Sequence, residues 1–237
     1  MSALSVKPIP TLIHYTRSFE YMMVMKLQSV KLIPTRNWRN KNFDLVVERD
    51  KNRKKSQQIV DERIHYMWFN YLQLCLNLEE INYSVPKRGG RGKTVSETEV
   101  KVSKSIYRKW DLEKVKKSSF REWYKDKEHR LLFYEGGFRY TRGTQYHPLV
   151  KRYNVFILYH NMMNDKTLYL KGDRSKGMMV SEKIVEDLQK EGGQKERYEL
   201  IERRTNTKSM SVQKRVMKDV VDCENSILAV CEGRFPK

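Results

Sequence analysis

"VQKRVMKDVVDCENSILAVCEGRFP", residues 212–236, decides the fold class. Val212, Val216, Val220, Cys223, Ile227 and Val230 recur at intervals of four, four, three, four and three, which lines them along one face of an α-helix. Gly233 stands where a helix closes through a left-handed residue, and Pro236 prevents continuation. So long an apolar seam needs partners, and a second helical pattern supplies one. From about Ser56, residues Val60, Ile64, Met67, Tyr71, Leu74 and Leu78 follow the same spacing. The preceding "RDKNRKK" puts lysines at the positive end of the helix dipole, so they serve something other than helix stability.

Between these helices lies "YRKWDLEKVKKSSFREWYKDKEHRLLF" (107–133), dense in both aromatics and charges. Ser119 and Glu122 form an S-x-x-E capping box, which predicts a helix starting at Phe120. Phe120, Trp123, Tyr124 and Leu131 can then share a face, interrupted by Lys127 and Glu128, with the other charges behind it. "YSVPKRGGRGKTVSETE" (83–99) breaks the helical pattern. Pro86 and three glycines predict a flexible basic loop that contributes nothing to packing. "GGFRYTRGTQYHP" reads as a hairpin or extended loop. Pro148 suits the first turn of an apolar helix, "LVKRYNVFILYHNMM", and residues 181–191 form a shorter helix closed by Gly192 and Gly193. The expectation is a mainly α protein with a few short strands or hairpins and basic loops. An N-terminal arm of irregular or strand segments (1–45) precedes a helical core (46–237), interrupted by the basic Gly-rich loop at 83–99.

Composition narrows the function. Lys and Arg outnumber Asp and Glu 48 to 29, a formal charge of +19 over 237 residues. Such a charge repels itself unless it meets an anionic partner, whether DNA, RNA or an acidic protein surface. Four Trp, fourteen Tyr and eight Phe argue for a packed core and against general disorder. No apolar run is long enough to span a bilayer, which takes roughly eighteen or more residues. The first residues lack the apolar centre and cleavage site of a signal peptide. Cys75, Cys223 and Cys231 sit inside apolar helical patterns, as reduced core thiols of a cytoplasmic protein would.

Motifs for chemistry fall short. "GGRGKT" (89–94) ends like a phosphate-binding loop, but Lys87 stands where that motif needs its first glycine. No H-x-x-x-H or CxxC spacing offers a metal site. Asp44, Glu48 and Asp50 near Lys51 lack the acid-x-Lys step of a restriction-type nuclease. Tyr159-His160-Asn161 has no second metal-binding histidine at a suitable distance. The expectation is therefore a non-enzyme with no catalytic residue, metal or cofactor. The candidates for partner binding are basic residues beside glycines or aromatics. They are Lys87, Arg88, Arg91 and Lys93 of the Gly-rich loop, Arg36, Arg39 and Lys41 of "RNWRNKNF", and Arg139 and Arg142 of "FRYTRGTQY". Cations neutralise phosphates while Trp and Tyr stack on bases. The other reading of Trp38, Trp110 and Trp123 is burial in the core or at a protein interface.

"HYMWFNYLQL" (65–74), "WDLEKVKKSSFREWYKDKEHRLLF" (110–133) and "SILAVCEGRFP" (226–236) together resemble a family encoded on bacterial mobile elements. Its members carry an aromatic helix, a Ser-Phe followed by paired tryptophans and a Leu-Phe, and a terminal helix running into G-x-F-P. Tyr124 stands where the family has its second tryptophan. The resemblance covers anchor points in about half the chain and implies no catalytic residues. It implies a prophage, satellite or transposon setting in a bacterial cytoplasm. Two roles fit that setting. One is a nucleic-acid-binding accessory or regulator. The other is a phage-satellite external scaffold, associated with procapsids, that grips helper-phage coat protein and directs small capsids. Either role leaves room for self-association.

Overall fold

The computed structural model describes residues 30–33, 53–88, 94–133, 146–164, 176–190 and 208–234. Among these the chain is mainly helical, with a single two-stranded antiparallel sheet. In chain order the elements are α1 (Arg53–Glu80), β1 (Ser84–Arg88), β2 (Thr94–Glu99), α2 (Leu112–Lys117), α3 (Phe120–Tyr124), α4 (Lys127–Leu132), α5 (Tyr146–Asn164), α6 (Lys176–Lys190) and α7 (Lys208–Cys231).

α7 is the central element, packing against α1, α5 and α6. All six residues of its apolar seam, Val212 through Val230, are buried. The helix ends as its sequence dictates. Gly233 has φ 69°, its N–H donates to the Val230 carbonyl, and the Arg234 N–H reaches back to Ala229 at 2.8 Å. That pair of bonds satisfies carbonyls left over at a helix end, and it needs a left-handed residue between them. α1 ends the same way through Asn82, φ 51°, with the Tyr83 N–H on the Leu78 carbonyl at 2.9 Å. Asparagine tolerates this conformation better than most side-chain-bearing residues. Ile64, Met67, Tyr71, Leu74 and Leu78 are buried as their spacing predicts. The three cysteines are free and buried, and the Cys75 thiol donates to the Ile227 carbonyl, joining α1 to α7.

The segment 107–133 packs an aromatic cluster against the middle of α1. Trp110 stacks on Trp123 at 5.1 Å, and Trp123 on His129 at 4.5 Å. Phe133 packs edge-on to Trp110 and flat on His65 at 3.8 Å. Trp68 donates to the Tyr107 hydroxyl, which in turn donates to the Val230 carbonyl at the end of α7. The expected capping box is present, with Ser119 and Glu122 exchanging bonds at the start of α3.

Three expectations are corrected. The predicted flexible loop at 83–99 is instead a β-hairpin, Ser84 facing Glu99 and Lys87 facing Ser96, with Val85 buried beneath it. Thr94, Val95 and Thr98 favour extended backbone, and Pro86 is tolerated because both strands of a two-stranded sheet are edges. Its glycine tip, 89–93, lies outside the described residues. Secondly, Leu131 is exposed, and Leu132 and Phe133 fill the core in its place. The helix begun at Phe120 stops at Tyr124, and Asp126 caps a new one, so the face rotates. Thirdly, α6 begins at Lys176, five residues before the expected start at 181. Ser181 lies inside it and donates back to the Gly177 carbonyl. The hairpin expected around Phe138, the glycines at 192 and 193, and most of the arm fall outside the described residues. Of the arm, Val30–Ile33 lies against the core.

Candidate functional site

The described residues carry a surplus of exposed positive charge over 101–133. Between 101 and 133 the chain carries eleven Lys and Arg against five Asp and Glu. The aromatic cluster takes the inward side of this stretch, and the cations take the outward one: Lys104, Arg108, Lys109, Lys114, Arg121, Lys125, Lys127 and Arg130 are all exposed. Three of its five acids terminate helices. Asp111, Glu122 and Asp126 accept backbone N–H bonds at the starts of α2, α3 and α4. The bonds from Ser119 hold the Glu122 carboxyl below its usual range. Carboxylates at helix starts favour the dipole and satisfy open donors, so they are occupied locally. Among the described residues, Lys104, Arg108, Lys114, Arg121, Lys125 and Lys127 have no carboxylate within ion-pair distance. This surface is available to an anion.

The sequence-derived candidates fare unevenly. Arg36, Arg39, Lys41, Arg91, Lys93, Arg139 and Arg142 lie outside the described residues. Lys87 is exposed on β1. Arg88, half-buried on the same strand, is ion-paired into the fold. Its guanidinium grips Glu224 of α7 through both nitrogens, Nη2 to Oε1 at 3.0 Å. Glu224 is only 1% exposed and also accepts from the Tyr83 hydroxyl at 3.3 Å, which lies 3.4 Å from His160 Nε2 on α5. This cluster joins the hairpin, α5 and α7. The hydrogen bond to Glu224 raises the Arg88 pKa. Burial, aided by Arg88, lowers His160 to about 4, so the imidazole is neutral near pH 7. Burial, reinforced by Glu224, pushes the Tyr83 phenol well above its ordinary value. With Arg88 charged and both His160 and Tyr83 neutral near pH 7, these bonds act as a latch. Further along α5 and α7, Lys151 meets Asp219 at 2.5 Å and Arg152 meets Asp222 at 3.1 Å.

Trp110 and Trp123 are at most 1% exposed, so neither offers a face to a base. "YRKW" and "REWYKDK" are therefore core anchors with basic backs, and of the two readings of these tryptophans burial holds. Trp38 lies outside the described residues. In the sequence, "YRKW" (107–110) and "REWYKDK" (121–127) stood out as basic-aromatic stretches, but none of their cations entered the candidate site, because the charges were read as the back of a core helix. The available signal was the imbalance itself, eleven cations in thirty-three residues with most of the acids at capping positions. Among the described residues no group of three or more His, Cys, Asp or Glu is arranged to hold a metal ion, and no helix is long and apolar enough to cross a membrane. Comparison with protein-family models, with curated proteins and with solved structures found no significant match.

Proposed function

We propose that this chain is a non-enzymatic binder of nucleic acid, engaging the phosphate backbone through the exposed cations of 101–133. The supporting observation is that this surface concentrates charge the fold does not use. Its aromatics pack inward, three of its acids cap helices, and six of its cations lack a carboxylate among the described residues. A duplex or strand laid on such a face releases condensed counterions, which supplies affinity without base contacts. The mobile-element resemblance supplies the setting, an accessory or regulatory role in a bacterial cytoplasm, and Lys87 of the hairpin extends the cationic surface.

The test is binding of a labelled oligonucleotide over a salt series. Affinity is expected to fall linearly in log–log form. Replacing Lys104, Arg108, Lys114 and Lys125 together by Gln is expected to reduce the slope by about three to four units, at roughly 0.9 per phosphate contact on duplex DNA. Thermal stability should hold, because these side chains are exposed. A wild-type protein that ignores nucleic acid but sediments with phage coat shells after nuclease treatment would replace this reading with the scaffold one. Substitutions that leave the slope unchanged would remove 101–133 from the interface.

A further inference from the structure

α1 buries Met67, Tyr71, Leu74 and Leu78, yet three carboxamides run along it at Asn70, Gln73 and Asn77. This spacing of three and four sets them in one stripe. They open into a cleft of about 610 Å³ bounded by Val30–Ile33, α1 and the α2–α3 turn. The size falls within the roughly 300–1,000 Å³ typical of small-ligand sites.

Polar bonds fix two walls of the cleft. Asn154, fully buried on α5, clasps Ile33 from both sides. Its Oδ1 accepts the Ile33 N–H at 2.9 Å and its Nδ2 donates to the Ile33 carbonyl at 2.7 Å. One wall is thereby fixed. Gln73 fixes the opposite one, its amide donating to the carbonyls of Val115 and Ser118 at 2.6 and 2.9 Å. Asn70 donates to its own helix at the Tyr66 carbonyl. Asn77 makes no side-chain hydrogen bond among the described residues. At the rim, Lys31 and Arg121 are exposed and have no ion-pair partner among the described residues. Tyr66, half-buried, supplies an aromatic edge.

We propose that this cleft binds one unstacked nucleotide, its phosphate toward Arg121 and Lys31 and its base edge toward Asn77. A carboxamide presents a donor and an acceptor side by side, which matches the paired edge of a base. Unstacked bases expose that edge only in single strands, loops or free nucleotides. As the binding of a strand, the inference deepens the function proposed above and rests on it. As the binding of a nucleotide, it stands alone. The basic face would hold duplex and single strand alike, while the cleft would add preference for the latter.

The experiment compares full-length wild type with Asn77→Ala, Lys31→Gln and their combination, since Arg121 also belongs to the basic face. Probes are a labelled single-stranded homo-oligonucleotide, a duplex of equal length, and AMP and CMP by calorimetry. The double variant is expected to lose roughly ten- to hundredfold in single-strand affinity, in line with the loss of one good base contact. Its duplex affinity should fall far less and its melting temperature should hold. Mononucleotide binding that matches the strand, and falls with the same variants, would identify free nucleotide as the source. Wild-type single-strand affinity in the double variant, with no mononucleotide bound, would overturn the proposal and leave the basic face intact. If the wild type binds no polynucleotide, the functional reading fails, and mononucleotide titration alone decides the cleft.

Discussion

Breaking the Arg88–Glu224 latch should cost different amounts depending on which partner is removed. Arg88 has a side chain 26% exposed, whereas Glu224 is 1% exposed. Replacing Glu224 by Gln keeps the volume and the bond from Tyr83, and the freed guanidinium can turn toward water. The loss is then that of charged hydrogen bonds, about 2 kcal/mol. Replacing Arg88 by Met keeps the aliphatic packing but strands a carboxylate that water cannot reach. That should cost roughly 4 kcal/mol, in the range for breaking a buried pair. For a chain of this size each kcal/mol shifts the midpoint by about 2–4 °C, so Arg88→Met should melt roughly 8–16 °C lower and Glu224→Gln about half as far. Urea unfolding followed by tryptophan fluorescence would give both values at 25 °C. Converting both residues to Met should cost less than the two single losses summed, since apolar replacement of a buried pair is often close to neutral. Equal losses for the two single variants, or an Arg88→Met protein within about 0.5 kcal/mol of wild type, would refute the latch.

Lys87, next to Arg88 but exposed, should give a change within about 0.5 kcal/mol when replaced by Ala, measured in the same urea series. His65 should couple stability to pH. Burial lowers its pKa to about 3 against an ordinary 6.5, so the folded state binds fewer protons than the unfolded state between those values. Its contribution is complete above about pH 6.5 and is lost as pH falls toward 3. His65→Phe should therefore flatten stability against pH between about 6 and 4 by roughly 1.4 kcal/mol per unit, and an unchanged slope would show that His65 is not held neutral. Trp123→Phe should destabilise through lost packing against Trp110 and His129, while salt-dependent binding per folded molecule stays the same. A selective loss of binding with stability preserved would return this tryptophan to the interface.

The helices were legible because their signals are local. The seam of α7, its Gly233 cap and the Ser119–Glu122 box are all set by spacings of three or four residues. The hairpin was misread because Pro86 and the glycines are strong turn signals, whereas strand pairing depends on a partner six to fifteen residues away. Leu131 was misassigned because one continuous helix was assumed, although Asp126 marks a restart. Arg88 illustrates a different limit. Its partner, Glu224, is 136 residues distant, and nothing in the pattern around either residue announces the pairing. Lys87 and Arg88 look equivalent in sequence, and only tertiary structure separates the exposed cation from the one held against α7.

This separation bears on how the net charge should be understood. The fold draws on its scarce carboxylates where they are structurally demanding. Glu224, Asp219 and Asp222 of α7 hold Arg88, Lys151 and Arg152, while Glu80 at the end of α1 holds Lys116 of α2. Asp111, Glu122 and Asp126 terminate helices. Cations outside these arrangements keep few local acids, and their mutual repulsion on the 101–133 surface opposes compactness. An anionic partner on that surface would relieve this repulsion in addition to its direct contacts. Binding and stability are then linked, because a ligand that binds only the folded chain raises its unfolding free energy. Heparin serves as a generic polyanion for this purpose. It should raise the midpoint of the wild type at low salt and lose that effect as salt is added. The increment should be smaller in a protein lacking the charges of Lys104, Arg108, Lys114 and Lys125, even though its own stability in the absence of heparin is equal or higher.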